Sequence, residues 1–151
     1  MAAFTLGLAA AAGAQEAKPF EPTVGQAGKD VVWVPTPPEM VERMLDVAKV
    51  TPQDYVIDLG SGDGRNVIAA AKRGSNALGV EYNPDMVELS KRQAAAAGVT
   101  GKATFVQGDM YAADISKANV MALFLLPSNM LQLRPKFFNL APGSRIVSNT
   151  F

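Results

Sequence analysis

The sequence predicts an α/β fold, doubly wound around a mainly parallel sheet, from three observations. Short apolar runs alternate along the chain with longer stretches whose apolar residues recur at helical spacing. A glycine loop, Gly60 to Gly64, joins one such run directly to one such stretch. The chain of 151 residues, 48% apolar and 19% charged, is long enough for a single substantial core. Alternating strands and helices imply right-handed crossovers, with the sheet covered on both faces.

The elements follow in order. The first fourteen residues, MAAFTLGLAAAAGA, are almost wholly small and apolar. Phe4 to Ala12 suits a signal-peptide core, and Ala12-Gly13-Ala14 has the small-x-small pattern of a cleavage site, although a positive start is missing. Residues 1–14 are therefore expected to be a signal peptide or apolar leader, with an exported or periplasmic location and a cytoplasmic one as the alternative. Residues 15–30, rich in Pro, Gly and charge, read as a linker, and 31–151 as the domain. Val31 to Val34 is a short apolar run stiffened by Pro35, Pro37 and Pro38. Thr36 is expected to cap a helix whose stripe is Met40, Val41, Met44, Leu45 and Ala48.

Tyr55 to Leu59 has the near-continuous apolarity of a buried parallel strand, interrupted by Asp58. After the glycine loop, Asn66 to Lys72 reads as a helix with Val67, Ile68 and Ala71 inward. A second strand, Ala77 to Val80, ends on Glu81, and a helix from Pro84 to Ala97 closes at Gly98. Ala103 to Val106 and Asn119 to Leu126 are the third and fourth strands. Met130 to Leu140 is a helix that Pro135 is expected to kink or split, and Arg145 to Val147 a fifth strand. The sequence stops just after it, so a C-terminal piece is expected beyond.

Composition narrows the chemistry. The chain has no Cys and no His, which excludes disulfides, thiol nucleophiles, histidine-based triads and the usual zinc sites, and no metal site is expected. Lys plus Arg and Asp plus Glu both number 14, with no basic run, so no nucleic-acid partner is expected.

The glycine loop follows a buried strand and opens a helix, the setting of a nucleotide site. A dinucleotide fingerprint would place its third glycine where this chain has Arg65. A pyrophosphate at the helix start would also be repelled by Asp58 and Asp63, whereas a ligand carrying an ammonium and a sulfonium would be attracted. That charge signature points to S-adenosyl-L-methionine. Glu81, at a strand end, is placed to accept from both ribose hydroxyls. Asp109 follows the third strand, where it either accepts from the adenine amino group, with Met110 against the ring, or merely starts a turn.

The same residues carry a family resemblance. VIDLGSGDGR resembles motif I of the class I, seven-strand S-adenosylmethionine-dependent methyltransferases. GVEYNPDMVELSKRQ resembles the segment after it, and FVQGDM the acidic adenine-side motif. VPTPPEMVERMLDVAKV, LFLLPSNMLQLRPK and LAPGSRIVSNTF resemble one branch, the archaeal and mitochondrial protein-lysine methyltransferases, the latter acting on the ATP synthase c-subunit and the adenine nucleotide translocase. The match runs from about Val31 to Phe151. It implies a Rossmann-like sheet of order 3-2-1-4-5, with Asp58, Gly60, Ser61, Gly62, Gly64, Glu81, Tyr82, Asp109 and Met110 on the cofactor. It also implies that Trp33 to Pro37, including Thr36, crosses the methionine end. Leu126, Pro127, Ser128 and Asn129 would line the acceptor pocket, although Ser and Asn there are equally suited to capping a helix.

Three departures stand out. Asn66 replaces a usually aliphatic residue, Ser148-Asn149 replaces a usual Ser-His, and strands expected after the fifth do not follow. The expected activity is methyl transfer to protein lysine, on a substrate near a membrane if the branch is a guide. Two alternatives are a small-molecule methyltransferase and a non-catalytic S-adenosylmethionine-binding protein.

Overall fold

The structure is a computed structural model that describes residues 16–151; the expected leader lies outside them. Nine elements follow in order: α1 (Pro38–Val47), β1 (Tyr55–Leu59), α2 (Arg65–Lys72), β2 (Asn76–Glu81), α3 (Pro84–Ala96), β3 (Ala103–Gln107), β4 (Val120–Phe124), α4 (Pro127–Phe138) and β5 (Arg145–Asn149). The strands form one sheet in the order β3-β2-β1-β4-β5, every neighbouring pair parallel. The order is the one that the family resemblance implies.

Period-two alternation in the strands decides which helix each residue meets. Val56, Ala77, Phe105, Val120 and Ala122 face α1, α2 and α3, joining Val41, Leu45, Val67 and Val87 in one core. Ile57, Leu59, Val80, Met121 and Leu123 face the other way, against Leu133 of α4 and against Met110, Ile115 and Ala118. No helix connects β3 to β4; those last three side chains cover the sheet from an irregular crossover instead. Leu133 is fully buried in this thinner layer. Leu133→Ala is therefore expected to cost about 2–5 kcal/mol, read as a lower urea midpoint with unchanged slope.

Three local expectations are corrected. Thr36 does not cap α1: the helix starts on Pro37 without a side-chain cap. Pro37 and Pro38 have no N–H to satisfy, and Thr36 is instead buried with its carbonyl accepting from Arg65 Nη1 at 2.7 Å. Pro135 does not split α4, which runs unbroken from Pro127 to Phe138. The carbonyl that Pro135 leaves without a helical partner is that of Leu131, a residue on the exposed face of the helix. The same helix begins three residues earlier than expected, because Pro127 is preset for a first turn and Asn129 Oδ1 accepts from the Leu126 N–H at 3.0 Å.

β5 is an edge strand, and Phe151 beyond it stacks on Phe124 with ring centres 4.3 Å apart. Residues 16–37 form no helix or strand, yet the stretch expected to be a linker is tied down. Gly25 N donates to the Trp33 carbonyl at 2.8 Å and Trp33 N to the Gln26 carbonyl at 3.0 Å. This short hairpin lies across the carboxyl ends of the strands, where open α/β sheets bind ligands.

Candidate active site

The glycine loop is held by contacts that Gly60, Ser61, Gly62 and Gly64 make possible. Gly60 N and Ser61 N both donate to the Val80 carbonyl, at 2.8 and 3.1 Å. Ser90 Oγ of α3 donates to the Gly62 carbonyl at 3.0 Å. Gly64 takes φ +83°, and a Cβ there would sit 2.7 Å from the Phe105 ring and 2.9 Å from Ser90. Close helix-to-strand packing thus falls on Gly64, which leaves Arg65 free to turn outward. Arg65 grips Asp63 with two hydrogen bonds, Nε to Oδ1 at 3.0 Å and Nη2 to Oδ2 at 2.6 Å. Of the two aspartates read as repelling a pyrophosphate, Asp63 is therefore neutralised by its neighbour.

Asp58 is not. It lies on β1 facing α2, 3% exposed, and its one side-chain partner is Asn66 Nδ2 at 3.0 Å. Burial pushes its carboxyl well above the usual carboxylate range; the Asn66 hydrogen bond opposes that rise, and the charges of Glu81 and Asp63 add to it. Two buried polar atoms beside it have no partner, Ser61 Oγ and Asn66 Oδ1. A buried carboxylate without a cation and two unfilled acceptors describe a receptor for a cationic group.

Glu81 ends β2 on the same side. Its Oε2 accepts from Gly62 N and its Oε1 from Asn83 N, both at 2.9 Å. The carboxylate is thereby fixed in orientation, and each oxygen retains a free lone pair for a hydroxyl. Around it opens a cleft that is continuous with solvent. Val80, Met86, Gly108 and Met110 supply an apolar slot, Glu81, Tyr82 and Asn83 a polar rim, and Gln26 to Val34 the outer wall. A second, smaller pocket adjoins it, lined by Asp58, Ser61, Gly62, Asn66 and Thr36. Trp33, Val34, Gly60 and Phe124 line both. Trp33 lies so close over the loop that a Cβ on Gly62 would meet its Nε1 at 2.6 Å. The two spaces together fit an elongated ligand with a flat ring at one end and a cationic group at the other.

Of the expected cofactor residues from Trp33 to Met110, all line the two pockets but Gly64, which packs against Phe105 and Ser90, and Asp109. Asp109 lies outside the cavity lining. Its Oδ1 accepts from Tyr111 N, forming the turn that was the alternative reading, and its Oδ2 from Lys29 Nζ, both at 2.8 Å. Those two contacts, the lysine first, hold its carboxyl below the usual range. Lys29 also lies over the Tyr82 ring, 5.1 Å from its centre. The expected acceptor residues sit apart from the cavity. Pro127 and Ser128 are exposed, while Asn129 is buried with Oδ1 on Leu126 N and Nδ2 on Tyr111 Oη at 2.8 Å. Asn129 secures the start of α4, and Phe124 is the side chain of this region that reaches the site.

Sequence reasoning missed the wall formed by residues 26–30, because a Pro- and Gly-rich stretch carries no periodic signal. It saw Asn66 as a departure without placing it against Asp58. A polar residue opening the apolar face of α2 was the available sign. Among the described residues no cluster of acidic side chains fits a metal ion.

Comparison with known proteins agrees with this geometry. The family description "ANTKMT methyltransferase domain" matches residues 58–151. A protein-lysine N-methyltransferase of Saccharolobus islandicus is 44% identical over 124 residues, which cover 80% of this chain and 77% of that protein. The human lysine N-methyltransferase of the ATP synthase c-subunit is 35% identical over 120 residues, 79% of this chain but only 51% of that protein. The chain thus spans about half the length of that relative. The crystal structure of an RNA methyltransferase from Salinibacter ruber with S-adenosyl-L-homocysteine superposes with a TM-score of 0.75 at 46% identity, covering 78% of this chain and 79% of that one. Other structural neighbours also hold S-adenosyl-L-homocysteine. The chain belongs to the class I S-adenosylmethionine-dependent methyltransferases, in the family of the ANTKMT methyltransferase domain.

Proposed function

We propose that the chain transfers a methyl group to the side-chain amine of lysine in a protein. The observation that carries this reading is the 44% identity, over 80% of the chain, to a protein-lysine N-methyltransferase. S-adenosylmethionine supplies an activated methyl on a sulfonium, a group that needs little more than alignment with its acceptor and exclusion of water. Glu81 and the slot at Met110 orient the nucleoside, and Asp58 draws the cationic end inward. Trp33 and Phe124, which line both pockets, shield the junction between them. Without His or Cys in the chain, proton loss from the acceptor amine rests on desolvation, since apolar surroundings favour the neutral amine.

A substrate at a membrane surface belongs to the same reading, by analogy with the branch. Among the described residues no helix is long and apolar enough to cross a membrane. The similarity to a protein described as an RNA methyltransferase supports a second reading, RNA as acceptor. The charge balance of 14 basic and 14 acidic residues weighs against it, since RNA binding draws on clustered positive charge. Incubation with methyl-labelled cofactor, a mixed protein extract and total RNA separates the two. Label recovered as methyl-lysine after protein hydrolysis is the expected outcome. Label confined to RNA, or to small molecules, overturns it.

A further inference from the structure

We infer that Asn66 is a specificity-determining residue of the cofactor site, its Oδ1 accepting a hydrogen bond from the ammonium group at the methionine end. The inference rests on the assignment of the paired pockets to S-adenosylmethionine. Asn66 is 4% exposed and lines the smaller pocket, on the opposite side of Gly60 from the apolar slot. Its amide is held by its nitrogen, which donates to Asp58 Oδ2 at 3.0 Å and more weakly to the Ala122 carbonyl at 3.4 Å. The oxygen of that amide is buried with no partner. An unsatisfied buried acceptor is costly to keep, about 1–3 kcal/mol, and such groups call for a function.

Charge decides what fills the place. Asp63 is paired with Arg65, and Glu81 lines the larger pocket instead, so Asp58 is the carboxylate of this pocket left without a positive partner among the described residues. Asn66 Oδ1 lies on the amide that touches Asp58, so one small cation with several N–H donors can engage both. A primary ammonium has three. A neutral donor would satisfy the amide but leave the carboxylate without a counter-charge, and an anionic group would be repelled by it. In this chain the amide adds a second contact and sharpens discrimination for ligands that keep the amino-acid portion.

Two probes separate this role from a merely structural one. S-adenosyl-L-homocysteine carries the amino-acid portion; 5′-methylthioadenosine keeps the adenine, ribose and sulfur but lacks it. In Asn66→Val, calorimetry is expected to show about tenfold weaker binding of S-adenosyl-L-homocysteine, the loss of one charge-assisted hydrogen bond, with 5′-methylthioadenosine unchanged. Equal weakening of both ligands, or no change in either, overturns the inference. Asn66→Thr, close to valine in shape, is read by the same ratio should Asn66→Val fail to fold. Failure of the native chain to bind S-adenosyl-L-homocysteine at all would remove the cofactor assignment itself, a result distinguishable from either.

Discussion

Replacing Asp58 with Asn is expected to make the free protein more stable and to cripple cofactor binding. The native carboxylate is buried, and its one side-chain partner is an amide. Its pKa in the fold lies above the unfolded value, so the stability linked to its protonated form is present at low pH and lost as pH rises through the raised value. Asp58→Asn escapes that loss, and its melting temperature at neutral pH should rise. The ligand's ammonium group meanwhile loses its buried counter-charge, a change worth about 2–5 kcal/mol, or at least about 30-fold in affinity. The pH dependence follows with the same sign. Native affinity for S-adenosyl-L-homocysteine should fall on acidification, beginning above the ordinary carboxylate range, as Asp58 takes up a proton that binding must remove. Asp58→Asn should lack that component. Calorimetry across pH, with thermal melts of both proteins, checks the pair of effects. Retained affinity within a few-fold would show that Asp58 does not face the ligand's charge.

Gly64→Ala is expected to be strongly destabilising. Two independent costs meet there. The left-handed backbone at φ +83° penalises any Cβ by about 1–2 kcal/mol. The new methyl would also lie 2.7 Å from the Phe105 ring and 2.9 Å from Ser90, and overpacking of this kind costs about 1–3 kcal/mol. Together they amount to about 2–5 kcal/mol, a fall in melting temperature of roughly 10 °C for a domain of this size. Gly98→Ala isolates the first cost, since Gly98 has φ +71° with nothing within 4 Å of a Cβ. The difference between the two variants measures the packing against Phe105. Equal losses would show that Phe105 and Ser90 simply move aside.

The doubly wound sheet was legible because its signals are local. Apolar runs such as Val56 to Leu59 and the terminators Pro84 and Gly98 act within a few residues of themselves, and the observed strands differ from expectation by one or two residues at their ends. The departures occur where a local preference met a distant partner. Thr36 has the chemistry of a cap, yet Arg65, far along the chain, takes its carbonyl into a buried network. Pro135 has the chemistry of a break, yet packing of Leu133 and Phe137 on both sides of it holds the helix together.

The sequence by itself determined the cofactor class: a buried strand, three glycines, Asp58 and Glu81 at fixed spacing are a short-range pattern whose charge and shape admit few ligands. Only the tertiary structure decided how that charge is shared. It showed that Arg65 neutralises Asp63, that Lys29 and Tyr111 occupy Asp109, that Asn129 serves its own helix, and that Asn66 is the side chain hydrogen-bonded to Asp58 among the described residues. A side chain's type declares what it can bond. Which partner it finds depends on which elements the fold brings within about 3 Å of it, and the pairs Asp58–Asn66 and Lys29–Asp109 join different elements of the chain.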